Sequence, residues 1–298
     1  MSNRDSIVYK LRRKCQVAFS YIAPKELQCK TYSRLVMHKK VDLKNPQTFN
    51  EKLQYLKIHD YPTNELVIKC ADKYKVRDYV KEKGLGNYLV KLYWQGKDPK
   101  QIPWDTLPDK FVLKCNHGCA YNILVKDKSK VDRAAVEKQL QKWLKEDFGR
   151  FNCEPQYSKI ERRIICEEFI EGDLKDYKFF CFNGEPKFLY VSEGLENDAT
   201  AKLGFFNIDG SKPNWSRKSH YTEIEKFKKP AFYDEMLKMS KKLAKDFYFV
   251  RVDIFVSGNK FYFSELTFTP GGAMMSFDPD STDLDFGGQL NITKVKIK

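Results

Sequence analysis

Hydrophobic positions change period several times along the chain, and each change marks an element. Over residues 5–22, Ile7, Leu11, Cys15, Ala18 and Ile22 recur at helical spacing, with Arg12, Arg13 and Lys14 on the other side. The run from Asn45 to Lys52 is a turn followed by a helix start, where Thr48 and Glu51 have capping-box spacing and Leu53 and Leu56 continue the apolar face. A second helix begins near Ala71-Asp72, turns Tyr74, Val76, Tyr79 and Val80 inward, and stops at Gly84 and Gly86. Residues 131–148 give another, with Ala135, Leu140, Trp143 and Leu144 facing inward, and 231–247 a further one. Strands fall at 88–93, 111–114 and 163–170. Tyr177–Phe182 and Pro186–Val191 form a hairpin over Asn183-Gly184. The tail after Thr269, rich in Gly, Pro and Asp, reads as loop. Helices and antiparallel hairpins interleave without strict βα alternation, so the expected class is α+β in two or more lobes.

One further hairpin, Phe249 to Thr267, carries a polar face inside an apolar frame. Arg251 and Asp253 are two apart and share one face of the first arm, as Glu265 and Thr267 do on the second. A loop with an odd number of residues centred on Asn259 sets Asp253 opposite Glu265 and Arg251 opposite Thr267. Two facing carboxylates repel each other. A divalent cation offsets that repulsion, because hard cations take carboxylate oxygens and keep substrate phosphates as further ligands. A solvated outer face, or an Arg251–Asp253 pair, accounts for the same residues without a ligand.

Composition narrows the reading. An apolar share of 42% in 298 residues supports one large domain or several small ones and excludes a disordered chain. Net charge is +14, which implies acidic partners. Residues 1–60 hold 13 Lys/Arg against 5 Asp/Glu, so +8 of the excess lies in the first fifth. A basic amphipathic helix there suits either an anionic membrane surface or packing on its own domain with a solvated basic face. The eight cysteines show no CxxC pairing and lie mostly inside apolar runs, which fits buried reduced thiols. No stretch has signal-peptide or transmembrane length, so the expected location is cytoplasmic, either soluble or peripheral at the inner face of the cell membrane. No nucleic-acid module is present, and nucleic acid is not an expected partner.

Phe111 to Lys114 is a strand that delivers a lysine to the loop Cys115-Asn116-His117-Gly118-Cys119-Ala120. A lysine at a strand end beside a glycine loop is one way to hold nucleotide phosphates, and a plain β-turn reads the same residues. Glu167-Glu168-Phe169-Ile170 ends a strand, and Asp176-Tyr177-Lys178 begins another. In this order, with R-V-D and E-L-T on the late hairpin, the set resembles the ATP-grasp superfamily. The runs N-P-Q-T-F-N-E-K-L-Q, A-D-K-Y-K-V-R-D-Y-V, L-P-D-K-F-V-L-K-C-N-H-G and D-Y-K-F-F-C-F-N-G are similar to its TupA-like branch, over roughly residues 30 to 290.

That resemblance implies an ATP-grasp fold with nucleotide held between two α+β lobes. Residues 1–70 would be a basic, mostly helical region, 71–166 the N-terminal and small lobe, and 167–298 the C-terminal lobe with the metal hairpin. It implies ATP with Mg²⁺ or Mn²⁺. Lys73, Lys114, His117 and Gly118 would lie near the phosphates, and Glu167, Glu168 and Ile170 near adenine. Asp176 would lie near ribose, and Lys178 near phosphate or acyl phosphate. Asp253, Glu265 and Thr267 would hold the metal, and Arg251, with Lys178 and Lys114, would stabilise developing charge. Two departures stand out: Thr267 offers a hydroxyl where many ATP-grasp enzymes have an asparagine, and the loop has one glycine, with Ala120 in place of another. The implied activity is a carboxylate–amine ligase of bacterial surface-polysaccharide synthesis, joining an amine or amino acid to a carboxylate-bearing sugar or glycan. Substrate contacts are expected in the 1–60 region, the 192–225 loop and the tail, where no motif marks them. Two alternatives are a nucleotide-sugar glycosyltransferase, from the D-x-D pairs Asp278/Asp280 and Asp283/Asp285, and a non-enzymatic polyanion binder.

Overall fold

Two sheets organise the chain in the computed structural model, which describes residues 7–194, 201–217 and 222–293, with the backbone alone for 7–10. The first two residues of the expected 5–22 helix, and parts of the 192–225 region expected to touch substrate, lie outside the described residues. The helices are α1 (Ile7–Ile22), α2 (Lys25–Val36), α3 (Phe49–His59), α4 (Glu65–Ala71), α5 (Val76–Glu82), α6 (Arg133–Lys145), α7 (Phe148–Phe151), α8 (Pro155–Ser158), α9 (Tyr233–Ala244) and α10 (Ser281–Gln289). The strands are β1 (Leu92–Gly96), β2 (Phe111–Cys115), β3 (Asn122–Val125), β4 (Ile164–Glu168), β5 (Lys175–Phe182), β6 (Glu185–Glu193), β7 (Lys202–Asn207), β8 (Ser216–Arg217), β9 (Thr222–Glu223), β10 (Phe249–Ser257), β11 (Lys260–Thr267) and β12 (Phe277–Asp278).

The small sheet has the order β1-β4-β2-β3 and is antiparallel throughout. Its core joins Trp104, Phe111, Leu113, Ile164 and Cys166 to Leu140 of α6. The large sheet has the order β11-β10-β5-β6-β7-β9. Its central strands read as apolar runs because both faces are covered. Phe179 meets Tyr233 of α9 on one face. On the other, Phe182 stacks on Phe49 of α3 at 5.1 Å and meets Phe286 of α10 at 5.9 Å. That second face changes character along the strands. Phe182 pairs with Phe249 and Phe180 with Arg251, then Lys178 with Asp253 and Asp176 with Phe255. One end of the face is therefore aromatic core and the other is charged.

Several expectations shift. The expected 131–148 helix breaks into α6 and α7, because Asp132 and Asp147 each cap a separate start by accepting from Ala135 and Arg150 N–H groups. Ala135 is exposed and Val136 takes the inward position. The tail is not loop alone: α10 packs on α3, where buried Asp283 accepts the Asn50 N–H at 2.9 Å. α3, α4 and α5 share one core with the large sheet. Thr48 and Glu51 do form the capping box.

Candidate active site

β10 and β11 pair as the sequence spacing requires, with Asp253 opposite Glu265 and Arg251 opposite Thr267. The route differs from an odd loop. Ser257 pairs with Lys260 across the two-residue turn Gly258-Asn259, and the register then slips between Asp253 and Ile254, leaving Ser264 as an extra residue on β11. This bulge turns Glu265 and Thr267 to the face that carries Arg251 and Asp253.

The facing carboxylates are neutralised by the chain's own cations. Arg251 grips Asp253 in a fork, Nε donating to Oδ1 at 2.7 Å and Nη2 to Oδ2 at 2.6 Å. Lys178 Nζ donates to the same Oδ2 at 2.9 Å and also to Asp176. Lys73 Nζ donates to Glu265 Oε2 at 2.8 Å. Arg251 further donates to the Thr267 hydroxyl at 3.1 Å, which lies 3.3 Å from Glu265 Oε1. Asp176, Asp253 and Glu265 thus face Lys73, Lys178 and Arg251, three charges against three. Burial alone would raise the Glu265 pKa, but Lys73, Arg251 and Lys178 together hold it well below the usual carboxylate range. Asp176 behaves oppositely: desolvation outweighs Lys178 and pushes it up to about 6.

Lys73 reaches this network because its turn is tied to the small lobe. Its N–H donates to the Asn116 carbonyl at 3.2 Å, and the Asn116 amide donates to Asp72 at 2.8 Å. Lys114 and Glu167 meet on the small sheet, Nζ to Oε2 at 2.8 Å, and Arg77 donates to the other Glu167 oxygen at 3.0 Å. Arg77 lies in α5, in the same sequence run as Lys73, and no spacing signal in the sequence singled it out.

Two cavities border the network, and a third lies beside Lys114. One of about 490 Å³ is lined by Val112, Lys114, Glu168, Ile170, Leu174 and Phe255. A second, about 600 Å³, shares Ile170, Leu174 and Phe255 with it and adds Asp176 and Ser192. Asp176 Oδ1 and Ser192 Oγ, which are cross-strand partners, are buried without a hydrogen bond. Orphaned acceptors of this kind fit a ligand that donates hydroxyl protons. At the other end, a cavity of about 700 Å³ touches Lys73, Arg251, Glu265 and Thr267 and runs under α1 and α2. Phe255 and Arg251 are four residues apart, about 13 Å along a strand. Buried Glu154 also lines the 700 Å³ cavity, held by the Thr269 hydroxyl; no periodic pattern in the sequence marked it.

Not every expected residue joins. His117 is buried, with Nε2 donating to the Trp143 carbonyl at 3.1 Å and Nδ1 unpaired. Gly118 is small for packing: a Cβ there would lie 2.8 Å from the Tyr121 ring. Ala120 holds a left-handed φ of +59°, the conformation glycine adopts most easily. Glu167 is engaged by Lys114 and Arg77, while Glu168 and Ile170 line the smaller cavity. Asp253 and Glu265 with the Thr267 hydroxyl are hard oxygen donors, which fit a cation that keeps phosphate and water ligands. Among the described residues, no three His, Cys, Asp or Glu side chains cluster to hold a metal by themselves.

A family model described as TupA-like ATPgrasp matches residues 51–291. Comparison with curated proteins finds no match. Solved structures similar to this chain include D-alanine–D-alanine ligase from Helicobacter pylori, at 21% identity and TM-score 0.47, covering 76% of this chain and 63% of that one. N5-carboxyaminoimidazole ribonucleotide synthetase in its ADP complex matches at 15% identity and TM-score 0.43, covering 83% and 58%. An L-amino acid ligase from Bacillus licheniformis matches at 16% identity and TM-score 0.40, covering 68% and 44%. The chain spans less than two thirds of the length of each of these three.

Proposed function

The chain belongs to the TupA-like ATP-grasp family, and we propose that it is an ATP-dependent ligase joining a carboxylate to an amine. The observation that carries this reading is the balanced six-charge network on one sheet face, with cavities at both ends. Adenine takes the apolar cavity of Val112, Ile170, Leu174 and Phe255. Ribose hydroxyls donate to Asp176 and Ser192, whose oxygens lack partners. The triphosphate then runs toward Arg251. Lys114, Lys178 and Lys73 are its contacts, drawn from Glu167, Asp253 and Glu265 respectively as phosphate competes for them. Asp253, Glu265 and Thr267 would hold Mg²⁺ or Mn²⁺, which would neutralise phosphate charge.

The substrates occupy the cavity beneath α1 and α2. A substrate carboxylate oxygen attacks the γ-phosphorus, the bond to the β-phosphate oxygen breaks, and ADP leaves with an acyl phosphate formed. An amine attacks the acyl carbon, phosphate departs, and the amine proton passes to solvent or phosphate. Arg251 faces the charge that builds on the transferring group, so positioning and electrostatics carry the catalysis. The basic residues of 1–60 favour an acidic acceptor, a uronic acid or another carboxylate of a surface glycan, with an amino acid as the amine. On this reading the protein acts in bacterial polysaccharide synthesis at the cytoplasmic side of the envelope.

The glycosyltransferase reading is weakened at one of its two D-x-D pairs: Asp283 is buried and accepts the Asn50 N–H of α3, while Asp280 of the other pair forms an exposed ion pair with Lys39 at 2.8 Å. The test is nucleotide chemistry. Calorimetry on Glu265→Gln should show Mg-ATP binding weakened at least tenfold, about 1.4 kcal/mol. Purified enzyme should release ADP only when a carboxylate and an amine are both supplied. UDP release from nucleotide sugars with no ADP would sink the ligase.

A further inference from the structure

α1 turns the wrong side outward for a helix that merely packs on its own domain. Leu11, Cys15, Ala18 and Ile22, the apolar stripe at helical spacing, are all exposed, Leu11 at 62% and Ile22 at 82%. The opposite side holds the helix to the core. Gln16 donates to the Phe151 carbonyl at 2.9 Å, Arg13 to Asn152 at 3.1 Å, and Phe19 joins Cys29, Tyr32 and Cys153 in a small apolar cluster. α2 is pinned the same way, its Cys29 and Tyr32 turned inward and Leu27 outward, while Leu35 and Val36 in its last turn are exposed at the rim of the 700 Å³ cavity. Of the eight large apolar side chains exposed among the described residues, six are on this helical pair, so the exposure is a surface patch and not scatter. The patch is also cationic. Residues 7–36 carry seven Lys/Arg against one Glu, and Lys14, Lys30 and Arg34 are exposed among the apolar residues.

We propose that the outer face of α1 and α2 seats on an anionic lipid bilayer. Apolar side chains interleaved with lysine and arginine are the composition of an interfacial helix. A second copy of the chain is disfavoured as the occupant, because a two-fold contact sets this cationic face against itself. Nucleic acid would leave the leucines and isoleucine in water. The patch reaches the chemistry: Leu35 and Val36, with Arg12 and Cys15, line the 700 Å³ cavity that also touches Arg251 and Glu265. The cavity mouth therefore opens at the lipid surface, and an acidic acceptor carried on that surface enters without crossing water. Its identity as acceptor rests on the ligase reading; the docking does not.

The test is sedimentation of the full chain with phosphatidylcholine vesicles, with and without phosphatidylglycerol. Binding is expected only where phosphatidylglycerol is present and should weaken with salt. Lys30→Gln with Arg34→Gln should lower the partition coefficient about thirtyfold, from ~1 kcal/mol for each basic residue at such a surface. Leu11→Ser with Ile22→Ser, both at solvent-exposed positions, should lower it at least tenfold with the circular dichroism spectrum unchanged. Equal binding to both vesicles, or binding untouched by the serine pair, would overturn the proposal. So would a dimer in light scattering that the serine pair dissociates. Mg-ATP calorimetry on the same samples separates the two readings: absent nucleotide binding in the wild type defeats the ligase and leaves the vesicle result standing.

Discussion

Arg251→Met is the sharpest perturbation of the charged face. The substitution keeps much of the stem volume and removes the guanidinium. Asp253 then loses two charge-assisted hydrogen bonds, at 2.7 and 2.6 Å, while its side chain has no exposure to water. Hydrogen bonds to charged groups contribute about 1.5–3 kcal/mol each, and removing one partner of a buried ion pair costs about 3–5 kcal/mol. Lys178 remains on Asp253 Oδ2, so the lower part of that range, about 3 kcal/mol, is the expected loss. Against a total stability of about 5–15 kcal/mol this is a large fraction. Urea unfolding of the ligand-free protein, followed by circular dichroism, measures it as a lower midpoint at unchanged slope. The decisive variant is the double, Arg251→Met with Asp253→Leu. Removing both charges leaves Lys178 paired with Asp176 and replaces the buried pair with apolar contact, so at least half of the lost stability should return. A single variant within about 1 kcal/mol of wild type, or a double variant as unstable as the sum of its singles, would refute the pairing.

Two further expectations follow from the packing. Burial depresses the His117 pKa to about 4, so the unfolded state takes up its proton first as pH falls. The neutral imidazole's stabilisation is complete above about pH 6.5 and is lost as the pH drops toward 4, up to about 3 kcal/mol; His117→Gln should flatten that slope in urea midpoints taken across the range. In α10, a Cβ on Gly287 would lie 2.0 Å from the Gln47 carbonyl oxygen, whereas Gly288 has nothing within 4 Å; Gly287→Ala should cost about 1–3 kcal/mol and Gly288→Ala should stabilise by about 0.5–1 kcal/mol, both read as thermal midpoints.

The residues of the site were legible where their spacing is local. Arg251/Asp253 and Glu265/Thr267 share faces because a strand repeats every two residues, and no tertiary information is needed for that. The capping box of α3 and the Asn183-Gly184 hairpin are local for the same reason. What the sequence hid is set by distant partners. The helical character of the tail depends on Asn50, more than two hundred residues away, clamping Met275 and Asp283. The burial of His117 depends on Trp143 of α6. The outward turn of the α1 stripe depends on what α7 offers the opposite face, and the periodicity of α1 alone fits either orientation.

The hairpin separates these two kinds of information most clearly. Its loop has an even count, which alone would leave Asp253 without Glu265 as its neighbour. The buried residues of β11 are Phe261 and Phe263, then Leu266, with Phe268 just beyond its end, so the alternation changes parity at Ser264-Glu265. That break is written in the sequence as two adjacent polar residues between apolar pairs, and it is the bulge that aims Glu265 at Arg251. The register follows from that local defect. The repulsion it creates does not by itself demand a metal, because Lys73 comes from the turn after α4 and Lys178 from β5 to balance it. On the proposed ligase reading, a triphosphate here would meet cations already gathered, each paired with a carboxylate. The repulsion among three carboxylates gathered on one face is thus offset by the chain's own cations before any ligand binds.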